Sequence, residues 1–213
     1  MFEYVITAPK LHTIPVKGGG EFPVRRVYCI GRNYAAHSIE MGGNPDRESP
    51  FFFQKNPDNL DASGNFPYPE KTSDVHHEIE MAVALKSGGT NISVDRALEH
   101  VFGYATCLDM TRRDLQAEAK KTGRPWEIGK AFERSGPIGP LQPVSEVGHP
   151  DTGRVELLVN GEVRQEGDLD QMIWKVPEMI SYLSDYFELQ SGDVIMSGTP
   201  SGVGPVVRGD IMV

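Results

Sequence analysis

The run "DVHHEIEMAVAL", residues 74 to 85, constrains the fold of this chain more than any other stretch. Strand side chains alternate between faces with period two. His76, Glu78, Glu80, Ala82 and Ala84 therefore share one face, and His77, Ile79, Met81, Val83 and Leu85 share the other. From Ile79 onward the second face reads as core. The first face opens with two carboxylates whose Cα atoms lie roughly 7 Å apart, at about 3.3 Å of rise per residue. Like charges at that spacing repel unless they are solvated, protonated or bridged by a cation. Two readings follow. Either the outer face of the strand meets water, or the pair is part of an oxygen-rich site for a hard divalent cation. The second needs a third ligand and a reacting group from elsewhere in the chain.

The remaining segments predict an α/β protein with a mixed sheet. "VRRVYCIG" (24–31), "PFFFQK" (50–55), "YATCLDM" (104–110) and the start of "GDVIMSGTPSGVG" (192–204) read as strands. "NYAAHSIEMGG" reads as one short helix stopped by Gly42 and Gly43. Ser93 is placed to cap a helix running to Val101 and closed by Gly103. Thr111 is placed to cap a second, with Asp114 in a capping-box-like position and Gly123 at its end. "VELLVNGEVRQEG" predicts a hairpin, because Asn160-Gly161 suits a two-residue type I′ turn. Pro177 fits the first turn of a helix to Phe187. Strands outnumber helices and hairpins mix with crossovers, which implies a rolled or stacked mixed sheet with short flanking helices.

Residues 1–24 contain Pro9, Pro15, Pro23 and the run Gly18-Gly19-Gly20, and read as an extended N-terminal arm before a domain at 25–213. "SGDVI" and "RGDIM" resemble each other as turns entering strands. The second stops at Val213, so the last strand is expected to be cut short.

With 213 residues the chain suits one domain with an arm. A net charge of −9 argues against nucleic acid or an anionic membrane as partner. No apolar run approaches a membrane span, and "MFEYVITAPK" lacks the basic start and apolar run of a signal peptide. The expected location is the cytoplasm. Cys29 and Cys107 both sit in apolar runs and read as buried thiols, not a disulfide.

Four further stretches carry chemistry. Asp109, in "CLDMTRRD", ends a strand and precedes a helix. It is either a turn residue or the third oxygen ligand beside Glu78 and Glu80, a set suited to Mg²⁺ or Mn²⁺. His37 and Glu40 stand three apart on the predicted helix. They are either a surface contact or a pair that activates water, the carboxylate fixing the imidazole's tautomer. Lys130, in "PWEIGKAF", either snorkels to the surface or stabilises an oxyanion. "SGTPSGVG", which contains Gly198 and Thr199, is either a plain turn or a cradle of backbone N–H groups for an anion. It is not a Walker A loop, and "HHEIE" lacks the second histidine of an HExxH zinc site.

Taken in this order, "GRNYAAH..E", "HHEIE", "LDMTRRDLQ", "GKAF" and "SGTPSGVG" resemble the fumarylacetoacetate hydrolase family, from Val27 to Val213. Within it, "FPVRRVYCIGRNYAAH", "PFFFQK", "YATCLDMTRRDLQ" and "GRPWEIGKAF" look most like the fumarylpyruvate hydrolases of gentisate-type aromatic catabolism. The resemblance implies a rolled mixed β-sheet, a homodimer and a Mg²⁺ or Mn²⁺ site. It also implies Glu78, Glu80 and Asp109 as metal ligands, His37 and Glu40 as the water-activating dyad, and Lys130 as the lysine assisting at the metal-side oxygen. Arg113, Gln116 and Thr199 would hold the 2-oxo acid end of the substrate, and Lys55 would line the pocket. His77 stands where relatives often carry Tyr.

The implied substrate is an acylpyruvate, cut by hydroxide attack on its distal carbonyl with pyruvate leaving as an enolate. A fumaryl group would need a cation for its far carboxylate, with Arg32, Arg112 and His76 as candidates. Two alternatives use the same residues differently. One is a 2-oxo acid decarboxylase or tautomerase, for instance on oxaloacetate. The other is a metal-stabilised binding protein without turnover.

Overall fold

The structure, a computed structural model, describes residues 4–40, 42 and 49–213. Gly43 and the rest of 43–48, part of the expected helix end, lie outside the described residues. The protein is a mixed α/β fold around a six-stranded sheet. The strands run in the order Gln142–Pro143, Val101–Leu108, Ile79–Leu85, Asp193–Met196, Arg26–Gly31 and Phe51–Lys55. All neighbours are antiparallel except Asp193–Met196 with Arg26–Gly31.

The acidic run is two strands, not one. Val75–His77 joins a separate three-stranded sheet with Thr111–Arg112 and Gly204–Val206, and Ile79–Leu85 joins the large sheet. Glu78 occupies the break between them. All seven residues of Ile79–Leu85 are buried, because the large sheet is covered on both faces. Met81, Val83 and Leu85 pack with Met179, Ile180 and Leu183 of the helix Val176–Tyr186. Ala82 and Ala84, on the face that carries Glu80, pack with Cys29, Val194, Met196 and Leu141. The water-facing reading of the Glu78–Glu80 face is thereby overturned: that face is interior.

The helix Val176–Tyr186 follows from local sequence. Val176, Met179, Ile180 and Leu183 recur at helical spacing and are buried together. Pro177 sits in the first turn, and the Glu178 carboxylate accepts the Lys175 backbone N–H at 2.9 Å. The hairpin Arg154–Val159/Glu162–Asp168 turns at Asn160 and Gly161, with φ of 54° and 85° as a type I′ turn requires.

Elsewhere tertiary contacts changed the local outcome. Val94–His100 is a 3₁₀ helix, and Gly103 does not close it but lies within the next strand, paired with Pro143. Thr111 caps nothing. It pairs with His76 in the small sheet, and its hydroxyl donates to the Asp109 carbonyl at 3.0 Å. The helix Arg113–Thr122 begins after Arg112 and ends at Gly123 as expected. Asp114 at its start accepts from the Thr72 hydroxyl at 2.6 Å and the Ser73 N–H at 3.0 Å, pinning a loop rather than completing a capping box. The first helix is Ala35–Glu40, so Asn33 precedes it.

The expected arm is only partly an arm. Residues 4–13 are exposed, but Thr13–Pro15 pairs with Glu21–Pro23, and Ile14, Phe22 and Val24 belong to the second core. Val213 exchanges backbone hydrogen bonds with Leu158 at 2.9 and 2.8 Å, alongside the hairpin. Cys29 and Cys107 are free, buried thiols on different strands, and burial pushes both well above the ordinary thiol range. No helix among the described residues is long and apolar enough to cross a membrane.

Candidate metal centre

Strand pairing assembles the acidic cluster. Ile79 pairs with Leu108 and Glu80 with Cys107, so the end of Val101–Leu108 lies beside the break at Glu78. The Asp109 N–H donates to the Glu78 carbonyl at 2.9 Å and closes that junction. One carboxylate oxygen from each of Glu78, Glu80 and Asp109 then lies within 4.8 Å of the other two. The three residues are 5%, 3% and 1% exposed.

Cations surround this cluster unevenly. Lys130 Nζ donates to Glu78 Oε2 at 2.8 Å and to Asp109 Oδ2 at 2.7 Å. Arg113 pairs with Glu78 Oε1. Burial alone would raise the Glu78 carboxyl, but Lys130 and Arg113 outweigh it and hold the group well below the usual carboxylate range. Burial likewise opposes the Lys130 charge, and Asp109 and Glu78 overcome it, so the ammonium's pKa is raised. Among the described residues Glu80 has only a backbone N–H, that of Gly198 at 2.9 Å. Burial, with the nearby Asp109 and Glu78 carboxylates, pushes its pKa well up.

The donor set fits a hard divalent ion: three carboxylates, with no cysteine or histidine joining the cluster among the described residues. Asp109 Oδ1 is buried without a hydrogen bond, and Lys55 Nζ stands 2.9 Å away outside hydrogen-bond geometry. Asp109 Oδ1 therefore already has a cation beside it, whereas Glu80, with a backbone N–H as its one hydrogen-bond partner among the described residues, is the carboxylate that a bound divalent ion would compensate.

His37 and Glu40 form the expected pair, Nδ1 to Oε2 at 3.2 Å. The carboxylate can only accept, so Nδ1 carries the proton and Nε2 is left with its lone pair. Burial lowers the imidazole's pKa, with Glu78 and Glu40 opposing, so the ring is neutral at pH 7. Glu40 is held in turn by the Gly202 N–H, at 3.1 and 3.2 Å to its two oxygens.

His37, the acidic trio, Lys130, Arg113, Gln116, Gly198 and Thr199 line one cleft. The glycine-rich loop does not cradle an external anion with the N–H groups of Gly198 and Gly202. Those donors are spent on Glu80 and Glu40. Gln116 is tied to Arg113, whose Nη1 donates to its Oε1 at 2.6 Å. Lys55 is not a lining residue. It lies behind the cluster, 2% exposed, donating to Ser135 Oγ at 2.9 Å and to the Lys130 carbonyl. It thus braces Asp109 and the backbone that carries Lys130.

The far wall of the cleft adds Arg32, Phe51, Lys120 and Trp126. The Arg32 guanidinium lies 5.8 Å from the Phe51 ring centroid, and Lys120 Nζ 5.1 Å from that of Trp126. Burial, then Arg113 and Arg32, lower the Lys120 pKa. Of the three expected cations for a second carboxylate, Arg32 alone lines the cleft. Arg112 stacks on Phe132 at 4.3 Å, and His76 is engaged by Asp74 at 2.9 Å.

Three residues of this neighbourhood have no individual signal in the sequence. Lys120 reads as one of two adjacent helix-end lysines. Asn33 is fully buried and joins three segments, donating to the Ser197 and Trp174 carbonyls at 2.8 and 3.0 Å and accepting the Trp174 N–H at 2.7 Å. Gln165 donates to Thr199 Oγ1 at 2.8 Å from the hairpin. Each takes its role from partners far away in sequence.

Known proteins resemble this chain in sequence and fold. Residues 26–213 match the family model described as fumarylacetoacetate (FAA) hydrolase C-terminal. The crystal structure of fumarylpyruvate hydrolase from Pseudomonas aeruginosa, in complex with Mn²⁺ and pyruvate, is 52% identical with a TM-score of 0.95, covering 99% of this chain and 93% of that one. The mitochondrial oxaloacetate tautomerase FAHD1 of Arabidopsis thaliana is 40% identical over 184 residues, 86% of this chain and 82% of its own. The oxaloacetate tautomerase YcgM of Escherichia coli is 39% identical over 191 residues, 89% of this chain and 87% of its own.

Proposed function

The chain belongs to the fumarylacetoacetate hydrolase family, and from that premise we propose that it is a divalent-metal-dependent hydrolase of acylpyruvates, cutting fumarylpyruvate to fumarate and pyruvate. The observation that carries this reading is that the His37 dyad opens onto the same cleft as the acidic trio. A binding protein without turnover would leave that dyad without a task.

A Mg²⁺ or Mn²⁺ ion held by Glu78, Glu80 and Asp109 would supply a template and Lewis acid for the carboxylate and 2-oxo oxygens of the substrate. Arg113, Gln116 and Thr199 hold that end of the molecule. His37 takes a proton from water through Nε2, and Glu40 keeps the ring in the tautomer that allows it. The hydroxide adds to the distal carbonyl, the carbon–carbon bond breaks, and pyruvate departs as its enolate before taking up a proton. The Lys130 ammonium, fixed beside the carboxylates, places positive charge where the enolate oxygen develops its negative charge. Arg32 and Lys120 line the cleft against the Phe51 and Trp126 rings, and they supply the cations that a fumaryl carboxylate needs.

A second reading is favoured by the relatives named oxaloacetate tautomerases. Oxaloacetate is also a dicarboxylic 2-oxo acid, and the same trio and cations would hold it while His37 moved a proton between carbon and oxygen. The deciding experiment supplies Mg²⁺ and, separately, fumarylpyruvate, acetylpyruvate and oxaloacetate. Pyruvate and fumarate released together support the hydrolase. Loss of enol absorbance from oxaloacetate with no carbon–carbon cleavage in any substrate supports the tautomerase. The homodimer belongs to this reading, and sedimentation of the purified protein tests it.

A further inference from the structure

Gln165 has no task in the chemistry above, yet it is 1% exposed on the strand Glu162–Asp168, whose other residues are all at least partly exposed. We propose that Gln165 is a positioning residue that fixes the Thr199 hydroxyl as a hydrogen-bond donor toward the carboxylate of a bound 2-oxo acid. The inference rests on the reading that Thr199 holds that end of the substrate.

The orientation of the Gln165 amide is set by two backbone groups of opposite polarity. The Ile79 N–H can only donate, and lies 3.0 Å from Oε1. The Pro200 carbonyl can only accept, and lies 2.9 Å from Nε2. Flipping the amide would break both bonds and set like against like. The remaining capacity follows. Oε1 also accepts from His77 Nδ1 at 2.8 Å, and the second hydrogen on Nε2 goes to Thr199 Oγ1 at 2.8 Å. Every donor and acceptor of the buried amide is then satisfied.

Thr199 is thereby made an acceptor on its inner side. Its own hydrogen finds no acceptor among the described residues, and the residue lines the cleft beside His37, Gln116 and the acidic trio. A hydroxyl that accepts from Gln165 cannot donate to it, so its hydrogen stays available to a carboxylate or carbonyl oxygen on the cleft side. The sorting matters in this cleft, since three protein carboxylates would otherwise disfavour an anionic ligand.

The test uses the full chain loaded with Mn²⁺ and pyruvate as the probe, with affinity read by titration calorimetry. Gln165→Glu keeps the acceptor for Ile79 and His77 but offers Thr199 no donor, so the hydroxyl turns inward. We expect Gln165→Glu and Thr199→Val each to weaken pyruvate by roughly ten- to a hundredfold, the range for a hydrogen bond to a charged group. The double variant should be no weaker than Gln165→Glu alone, and Mn²⁺ affinity should stay at the parental value. A merely structural role would show independent, multiplying losses. Parental affinity in Gln165→Glu with Thr199→Val impaired overturns the role of Gln165, as do multiplying losses. A parent that fails to bind pyruvate with Mn²⁺ present overturns the functional reading, and this inference with it. Should Gln165→Glu not fold, the structure of the parent with Mn²⁺ and pyruvate decides. Thr199 Oγ1 within about 3 Å of a pyruvate oxygen, with the Gln165 bond kept, supports the inference, and a hydroxyl out of reach of pyruvate overturns it.

Discussion

Gly198 donates its backbone N–H to Glu80 Oε2 at 2.9 Å from a left-handed turn, φ +92°. A Cβ at this position would stand 2.7 Å from Asn33 Cβ and 3.1 Å from the Ile30 carbonyl oxygen. Among the described residues Glu80 has no paired side-chain cation, so the loop conformation and the electrostatics of the metal centre are one problem. Gly198→Ala should destabilise the protein by about 1–3 kcal/mol, the cost of a strained backbone residue, and weaken metal binding as well. Urea unfolding with and without Mn²⁺ measures both. A midpoint and metal affinity equal to the parent's would refute the coupling.

Metal should stabilise the fold measurably, because the buried carboxylates are under-compensated without it. At a hundredfold excess over Kd, a ligand specific to the folded state adds about 2.7 kcal/mol. For a chain of this size that is a rise of roughly 5–10 °C in Tm. Mn²⁺ or Mg²⁺ should raise Tm, EDTA should reverse the rise, and Glu80→Gln should abolish it. An identical metal-induced rise in Glu80→Gln would remove Glu80 from the ligand set.

His37 acts as a base only when neutral, so activity should rise with pH through its pKa and level off above. Burial places that pKa below the ordinary histidine value, and a divalent cation nearby acts in the same direction. The acid limb of kcat/KM should therefore fall below pH 6.5. Glu40 favours the imidazolium, so Glu40→Gln should move the limb further down while lowering the plateau. His37→Ala should spare Mn²⁺ binding and cost about two to four powers of ten in hydrolysis. An acid limb that moves up in Glu40→Gln would contradict the assignment.

The two cations of the far wall should matter only for substrates with a second carboxylate. Lys120→Met should raise KM for fumarylpyruvate by about tenfold or more, as expected for losing a charged hydrogen bond. KM for acetylpyruvate should stay unchanged. Arg32→Met should behave the same way. Equal losses on both substrates would mean that these residues shape the cleft without recognising charge.

Asp114 should hold the loop at 72–74 to the helix that carries Arg113 and Gln116. Its carboxylate accepts from Thr72, Ser73 and the Leu115 N–H, and these bonds outweigh its slight burial and lower its pKa. Because the folded pKa is depressed, its contribution is present above the unfolded value and is lost as pH falls through the folded one. Asp114→Ala should destabilise by about 1–2 kcal/mol at pH 7, and by less in acid. A destabilisation that grows below pH 4 would contradict this.

Residues whose role is settled by near neighbours were legible before the fold was known. Asn160-Gly161 turns the hairpin, Val176 to Leu183 bury one helix face, and His37 meets Glu40 across one turn of helix. Glu78 and Glu80 were visible as a pair of like charges entering an apolar strand. The break at Glu78 was not visible, because period-two alternation runs through it uninterrupted in the sequence. It exists because Val75–His77 and Ile79–Leu85 pair in different sheets. Lys55 read as a pocket residue for a similar reason: its strand does approach the site, but Asp109 and Ser135 hold its ammonium behind the wall.

The sequence by itself determined the chemical inventory and its local geometry: strands, turns, the amphipathic helix, and a set of acids, bases and cations suited to a keto acid and a hard metal. Only the tertiary structure decided which polar group answers which. The Gly198 N–H serves Glu80 and not an external anion, Gln165 sets the polarity of Thr199, and Lys120 faces the cleft where Arg112 does not. The physical reason is that a buried polar atom must find a partner wherever the packed chain places one. Those partners lie up to 164 residues away, as Asn33 and Ser197 do, beyond any local pattern.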